Sequence, residues 1–217
     1  MAHKGQQDFI RLVQGQFPDF FLNKRVLEIG SLDINGSVRS HFRECSYTGI
    51  DVAAGPGVDM VCQGQDYDGP EDCFDVVISC EVMEHNPHWA ETVKNMIRVC
   101  KPGGLVLMTC ATLGRGEHGT ARTSPNSSPL TVELGWNYYR NLTARDFKKL
   151  RTTEGLSCVF AYNWKSHDLY LVGIKGTAST EATAKLRAIE RKYRKAFWSH
   201  WSAVRRAAKS ILLNKRN

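Results

Sequence analysis

No stretch of this 217-residue chain approaches the roughly 20 consecutive apolar residues that a bilayer-spanning helix needs, which argues against a helical membrane protein. The N-terminus, MAHKGQQDFIRLVQGQF, lacks the apolar core of a secretory leader, so a cytoplasmic location is expected. No Cys-x-x-Cys pair occurs among the seven cysteines, and Cys80, Cys110 and Cys158 lie in or beside apolar stretches. Buried reduced thiols are therefore expected, not a disulfide framework or a zinc site. Internal repeats are absent as well. What remains is 42% apolar residues in a chain long enough to bury one substantial core.

The net charge of +7 is unevenly divided. Residues 185–217 hold eleven of the 29 Lys/Arg and only one of the 22 Asp/Glu, so this tail carries +10 and the rest of the chain −3. A slightly acidic globular part is not an obvious nucleic-acid binder. The basicity belongs to an appendage.

Along the first half, strands and helices alternate. An amphipathic helix over about 6–16 opens the chain, followed by a strand at Val26–Gly30 and the start of a helix at Gly36–Arg43. SYTGID and the short VDMVC read as strands, then the apolar FDVVISCEV, a helix from about Pro87 to Cys100, a KPGG turn and a fifth strand, LVLMTCA. This alternation implies βαβ units and a parallel sheet covered on both faces. Residues 113–141 break the pattern, with glycines, prolines, serines and aromatics in no period. So long an irregular segment inside a domain is usually functional, and a substrate lid is expected here. LTARDFKKL then gives a helix with Thr143 as N-cap and Asp146 at the capping-box position. Two antiparallel closing strands follow, LSCVFAYNW and DLYLVGIK, placing the main domain at 1–176 and a linker at 177–184.

The loop after the first strand, VLEIGSLDINGS, poses a choice of nucleotide. A dinucleotide site needs G-x-G-x-x-G so that backbone can approach a pyrophosphate. Here the glycines are Gly30 and Gly36, and Asp33 would sit against the anion. S-adenosylmethionine has no phosphate; its sulfonium and α-ammonium favour nearby carboxylates such as Glu28 and Asp33. Asp51, ending the second strand, is placed to accept both ribose hydroxyls.

Val26 to Ala111 resembles a class I S-adenosylmethionine-dependent methyltransferase. VLEIG resembles the first motif, GID the second, FDVVISCEVMEH the fourth-strand motif and RVCKPGG the turn before the fifth strand. The resemblance implies a Rossmann-like, seven-stranded, mostly parallel sheet of order 3-2-1-4-5-7-6. It puts Glu28, Gly30 and Ser31 around the methionine part of the cofactor, with Asp33 and Gly36 in the same loop, Asp51 and Val52 at the ribose, and Ser79 and Cys80 alongside. The acid that often contacts the adenine amino group aligns with Gln63; Gln63 or Gln65 could read that edge, with Asp66 the alternative.

EVMEH sets Glu81, Glu84 and His85 at i, i+3 and i+4, where they can share a face. Two carboxylates and an imidazole suit a divalent ion such as Mg²⁺ or Mn²⁺. The spacing resembles that of metal-dependent methyltransferases acting on RNA 2′-hydroxyls, where a downstream histidine completes the site, and His118 could do so here. The same stretch without metal would orient the helix and the cofactor face. In the lid, Arg115, Arg122, Trp136, Tyr138 and Tyr139 are candidate substrate contacts. EHGTARTSPNSSP before NYYRNLT is similar to small methyltransferases of bacterial surface-polysaccharide clusters.

In the tail, apolar residues at 186, 189, 193, 197, 201, 204, 208 and 211 describe an amphipathic helix with a basic polar face. Three roles stay open for 185–217: peripheral contact with the inner face of a membrane, docking on the domain or a partner, or gripping RNA. The expected activity is O-methylation of a glycan, sugar or other polyhydroxylated acceptor, with His118 as base and Glu81 as its companion. An RNA methyltransferase and a non-catalytic cofactor-binding module are the alternatives.

Overall fold

The structure is a computed structural model that describes residues 4–34 and 36–196. Helix α1 (Lys4–Gln16) precedes strands β1 (Arg25–Ile29), β2 (Ser46–Asp51), β3 (Met60–Val61) and β4 (Phe74–Cys80). Then come α2 (Trp89–Val99), β5 (Cys100–Ala111), α3 (Pro129–Glu133), α4 (Ala144–Lys149), β6 (Leu156–Asn163) and β7 (Asp168–Lys175). A last helix, α5, begins at residue 180 and is described to residue 196.

The seven strands form one sheet of order 3-2-1-4-5-7-6, as the resemblance implied. β3, β2, β1, β4 and β5 are parallel; β7 runs antiparallel to both β5 and β6. β1 and β4 are near-continuous apolar runs because helices cover both their faces. On one face α1 and α5 press Phe9, Ile10, Val13, Leu186 and Ile189 onto Val26, Val76, Leu105 and Tyr170. On the other, α2 and α4 supply Trp89, Val93, Met96 and Phe147 against Leu27, Val77 and Val106.

Four local expectations are corrected. The helix expected at Gly36–Arg43 is only a 3₁₀ turn, Arg39–His41. Side chains hold this stretch in another path: Asp33 Oδ1 accepts from Gly36 N–H, Ser37 Oγ accepts from Arg39 N–H, and Gln7 and Gln14 of α1 donate to Ser37 O and His41 O. KPGG does not leave the sheet. It is a bulge inside β5, where pairing passes from Phe74↔Cys100 to Val76↔Leu105. Within 113–141 a 3₁₀ turn, Pro125–Ser127, and the one-turn α3 give the lid some regular structure.

The segment expected as a linker at 177–184 is helical from residue 180, because Ser179 caps it: its Oγ accepts from Ala182 N–H at 3.1 Å and its carbonyl from Thr183 N–H at 2.8 Å. The apolar side of α5 is then used at once. Leu186 and Ile189 are buried, and the Tyr193 ring meets Phe9 and Tyr170, which themselves stack at 4.4 Å. This part of the tail is docked on the domain, and its exposed face carries Arg187, Arg191, Lys192, Arg194 and Lys195. Phe197, Trp198, Trp201 and the rest of the expected tail helix lie outside the described residues. Among the described residues no helix is long and apolar enough to cross a membrane.

Candidate active site

Strand ends converge at the carboxyl edge of the sheet. The β1 loop turns at Gly30 with φ +80°, where a Cβ would come within 2.0 Å of Val82 Cγ2. Gly30 and Ser31 both donate their N–H groups to Ile50 O, at 2.8 and 3.1 Å. Leu32 N–H donates to Asp51 Oδ2 at 3.0 Å, and Val52 N–H to Asp51 Oδ1 at 2.8 Å. Asp51 therefore ties the first loop to the second strand as well as facing the site. Burial lifts its carboxyl above the usual aspartate range, in spite of these two bonds.

A cavity of about 380 Å³ opens at this edge. Gly30, Leu32, Asp51, Val52, Cys62 and Gly64 line it from the first three strand ends; Glu81, His85 and Asn86 line it from the end of β4. The lid contributes Arg115, His118, Ser128, Thr131 and Trp136. One cavity thus joins the expected cofactor loops to the expected acceptor side.

Several expected cofactor residues lie behind this lining. Glu28 is buried, and its carboxylate accepts from Tyr47 OH at 2.8 Å; burial pushes its pKa up to about 7. Ser31 is buried, Asp33 bonds to Gly36 in the loop turn, and Ser79 Oγ donates to Ile29 O, tying β4 to β1. Cys80 belongs to the core. Gln63 and Gln65 bond to each other at 2.6 Å, and Thr92 Oγ1 donates to Gln65 Oε1. Those side chains are occupied together, so Cys62 and Gly64, which the sequence reading passed over, bring this loop to the cavity.

The four expected metal ligands do not form one cluster. Glu81 has φ +56°, a left-handed conformation that non-glycine residues adopt under constraint and that recurs at functional sites. Its carboxylate accepts from Thr109 Oγ1 at 3.1 Å and stands 3.9 Å from Arg115 Nη2. Glu84, His85 and His118 do converge, offering one donor atom each within 4.8 Å of one another. Glu84 Oε1 accepts from Ala111 N–H at 3.1 Å, and burial beside Glu81 holds this carboxyl well above the usual glutamate range. Burial, reinforced by His118, pushes His85 down to about 3, so this imidazole is neutral. Tyr139 packs on both histidines, with centroids 5.5 and 5.0 Å away, and burial raises its phenol pKa.

The remaining candidates separate cleanly. Trp136 lines the cavity and meets His88 edge-on at 5.9 Å. Tyr138 packs against the second core cluster. Arg122 is exposed and paired with Glu117 at 2.9 Å. The sequence reading missed Asp168, fully buried at the start of β7 and bonded to Arg115 at 3.2 Å. An aspartate opening an apolar strand, DLYLVGIK, was the available signal.

Residues 1–148 match the family described as a methyltransferase domain. The comparison with curated proteins finds no match. Among solved structures, the CurJ carbon methyltransferase is similar at 16% identity and TM-score 0.52, over 72% of this chain and 50% of that one. Phosphoethanolamine N-methyltransferase 2 of Haemonchus contortus, in complex with S-adenosyl-L-methionine, gives 15% and 0.56 over 78% and 52%. The [4+2]-cyclase SpnF gives 13% and 0.57 over 80% and 82%. The chain thus spans about half the length of the first two proteins, and identities this low show the fold alone. Taken with the family match over 1–148, the chain belongs to the methyltransferase domain family and shares its fold with these structures.

Proposed function

We propose that the chain transfers the methyl group of S-adenosylmethionine to a hydroxyl of a sugar, glycan or other small polyhydroxylated acceptor, with His118 as general base. The observation that carries this reading is the His118 ring. Its Nδ1 lies 3.0 Å from Gly116 O, an oxygen that can only accept, so in the neutral ring Nδ1 carries the proton and Nε2 is the nitrogen able to take one. A hydroxyl, unlike a neutral amine, must shed its proton as the methyl arrives, and an imidazole at the cavity wall suits that task. Asn86, Ser128 and Thr131 offer hydrogen-bonding groups to a polyhydroxylated ligand, and Trp136 an apolar face. Displacement at the methyl carbon needs the sulfonium, methyl and oxygen in line, so the chain's contribution is positioning and proton removal.

The test is mass spectrometry of acceptor pools incubated with methyl-labelled cofactor: nucleotide sugars, glycans and short RNAs. Label on a sugar hydroxyl, lost by about 10²–10⁴-fold in His118→Gln with cofactor affinity unchanged, supports the reading. Label on nitrogen, carbon or RNA overturns it. Tight cofactor binding with no acceptor-dependent S-adenosylhomocysteine release points to a non-catalytic module.

A second reading is favoured by the convergence of Glu84, His85 and His118. Glu84 Oε2 and His85 Nδ1 are buried with no hydrogen-bond partner among the described residues, which fits a divalent ion held by these three side chains. Two nitrogens and one oxygen suit Mn²⁺ better than Mg²⁺. Such an ion, when bound, supplies acidification of an acceptor hydroxyl. His118 is then a ligand and Glu81 remains outside the donor set. Full activity after exhaustive chelation removes this reading; recovery with Mn²⁺ supports it.

A further inference from the structure

Among the described residues, Arg115 is the one permanent cation lining the cavity, and its charge is matched before any ligand arrives. Its Nη1 donates to Ser166 O at 2.6 Å and to Asp168 Oδ1 at 3.2 Å, while Nη2 stands 3.9 Å from Glu81 Oε2. Asp168 is built for this task. It is fully buried, and its other oxygen accepts from Ser166 Oγ at 2.6 Å and Tyr170 OH at 3.1 Å, which fixes the carboxylate against the guanidinium. Arg122, the other cation assigned to the acceptor from sequence, is exposed beside Glu117 and outside the lining.

The lining also carries the carboxylates of Asp51 and Glu81. That negative balance suits a sulfonium cofactor and offers no unmatched positive charge to an acceptor anion. A phosphate or carboxylate entering the cavity would lose hydration and gain no unpaired cation in return.

We infer that the acceptor enters this cavity as an uncharged group, a hydroxyl on a moiety bearing neither phosphate nor carboxylate, and that Asp168 is the positioning residue that keeps Arg115 from recruiting an anion. The inference rests on the hydroxyl-methylation reading and narrows its substrate class. Any phosphate on the acceptor lies outside the cavity.

The experiment uses the full chain saturated with S-adenosylhomocysteine and inorganic phosphate as the probe, at low ionic strength. The His85 and His118 ring signals in NMR spectra report on the cavity alone, so phosphate held by the basic tail does not register. In the wild type, millimolar phosphate should leave both signals in place. Asp168→Asn should shift them, binding phosphate about tenfold or more tightly than the wild type, as expected when a partly buried guanidinium loses one of two carboxylate partners. Glu81→Gln gives a second route to the same gain if Asp168→Asn folds poorly, and adding Arg115→Met should abolish it. Wild-type shifts at millimolar phosphate overturn the inference whether or not Arg115→Met removes them. So does indifference to phosphate in both freed variants. Methyl transfer to nitrogen or carbon would defeat the hydroxyl reading and leave the phosphate titration standing.

Discussion

The imidazoles of His85 and His118 stand edge to face, with ring centroids 5.0 Å apart and planes at 84°. One comes from the end of β4 and the other from the lid, and Gly119 lets them meet. Its φ is +63°, and a Cβ there would lie 2.7 Å from both His85 Cε1 and Ser128 Cβ. Gly119→Ala should therefore push the lid off His85. A loss of about 1–2 kcal/mol in stability is expected from backbone strain, with a larger proportional loss of turnover. Denaturant titration and acceptor-dependent release of S-adenosylhomocysteine check both, and unchanged turnover would show that the pairing is incidental.

Asp51 accepts the N–H groups of Leu32 and Val52 and faces the cavity, so removing it should loosen the first loop and, on the proposal that it accepts the ribose hydroxyls, delete that acceptor as well. Asp51→Ala should weaken S-adenosylmethionine binding by about 1.5–3 kcal/mol, roughly 10- to 150-fold. Calorimetry is the direct measure. Wild-type affinity in this variant would deny the residue its ribose role.

The parallel strands were readable because apolar runs of strand length alternate with helical stretches, whereas the sheet order and the cofactor edge came only with the family resemblance. The path of Gly36–Arg43 was not readable. Its helical composition is overruled by Asp33, Ser37 and the α1 glutamines, which meet it only in the fold. Spacing placed Glu81 with Glu84 and His85, but a left-handed residue at 81 turns that side chain to Thr109 and Arg115. Likewise Asp168 is 53 residues from Arg115, and no local pattern couples them.

Glu28 supplies a pH test that needs no acceptor. Its folded pKa of about 7 lies above the ordinary glutamate value of 4.5 because the carboxyl is buried, while the Tyr47 hydroxyl pulls the other way. The folded state therefore binds the proton more tightly than the unfolded chain. The associated stability is fully present below pH 4.5 and is lost as pH rises through 7, in all about 3 kcal/mol. Glu28→Gln should remove this pH dependence, making the cofactor-free variant more stable than the wild type near pH 8. Denaturant titrations of both proteins from pH 5 to pH 8 decide the point, and parallel curves would exclude Glu28 as the titrating group.

The docked start of the tail makes the last prediction. Ile189 is fully buried and Leu186 nearly so, both in the cluster that holds α1 against the sheet. A helix whose apolar side was reserved for a lipid surface would leave these positions dispensable in solution. Here Ile189→Ala should destabilise the chain by about 2–5 kcal/mol, the usual range for truncating a buried Ile or Leu. Arg191→Ala, on the exposed face of the same helix, should stay within about 0.5 kcal/mol of wild type. Because Tyr193 leans on Tyr170, whose hydroxyl supports Asp168, Ile189→Ala should also reduce turnover more than it reduces cofactor affinity. Equal stability of the two variants would mean that α5 does not dock in solution, and the membrane role for residues 185–217 would regain its footing.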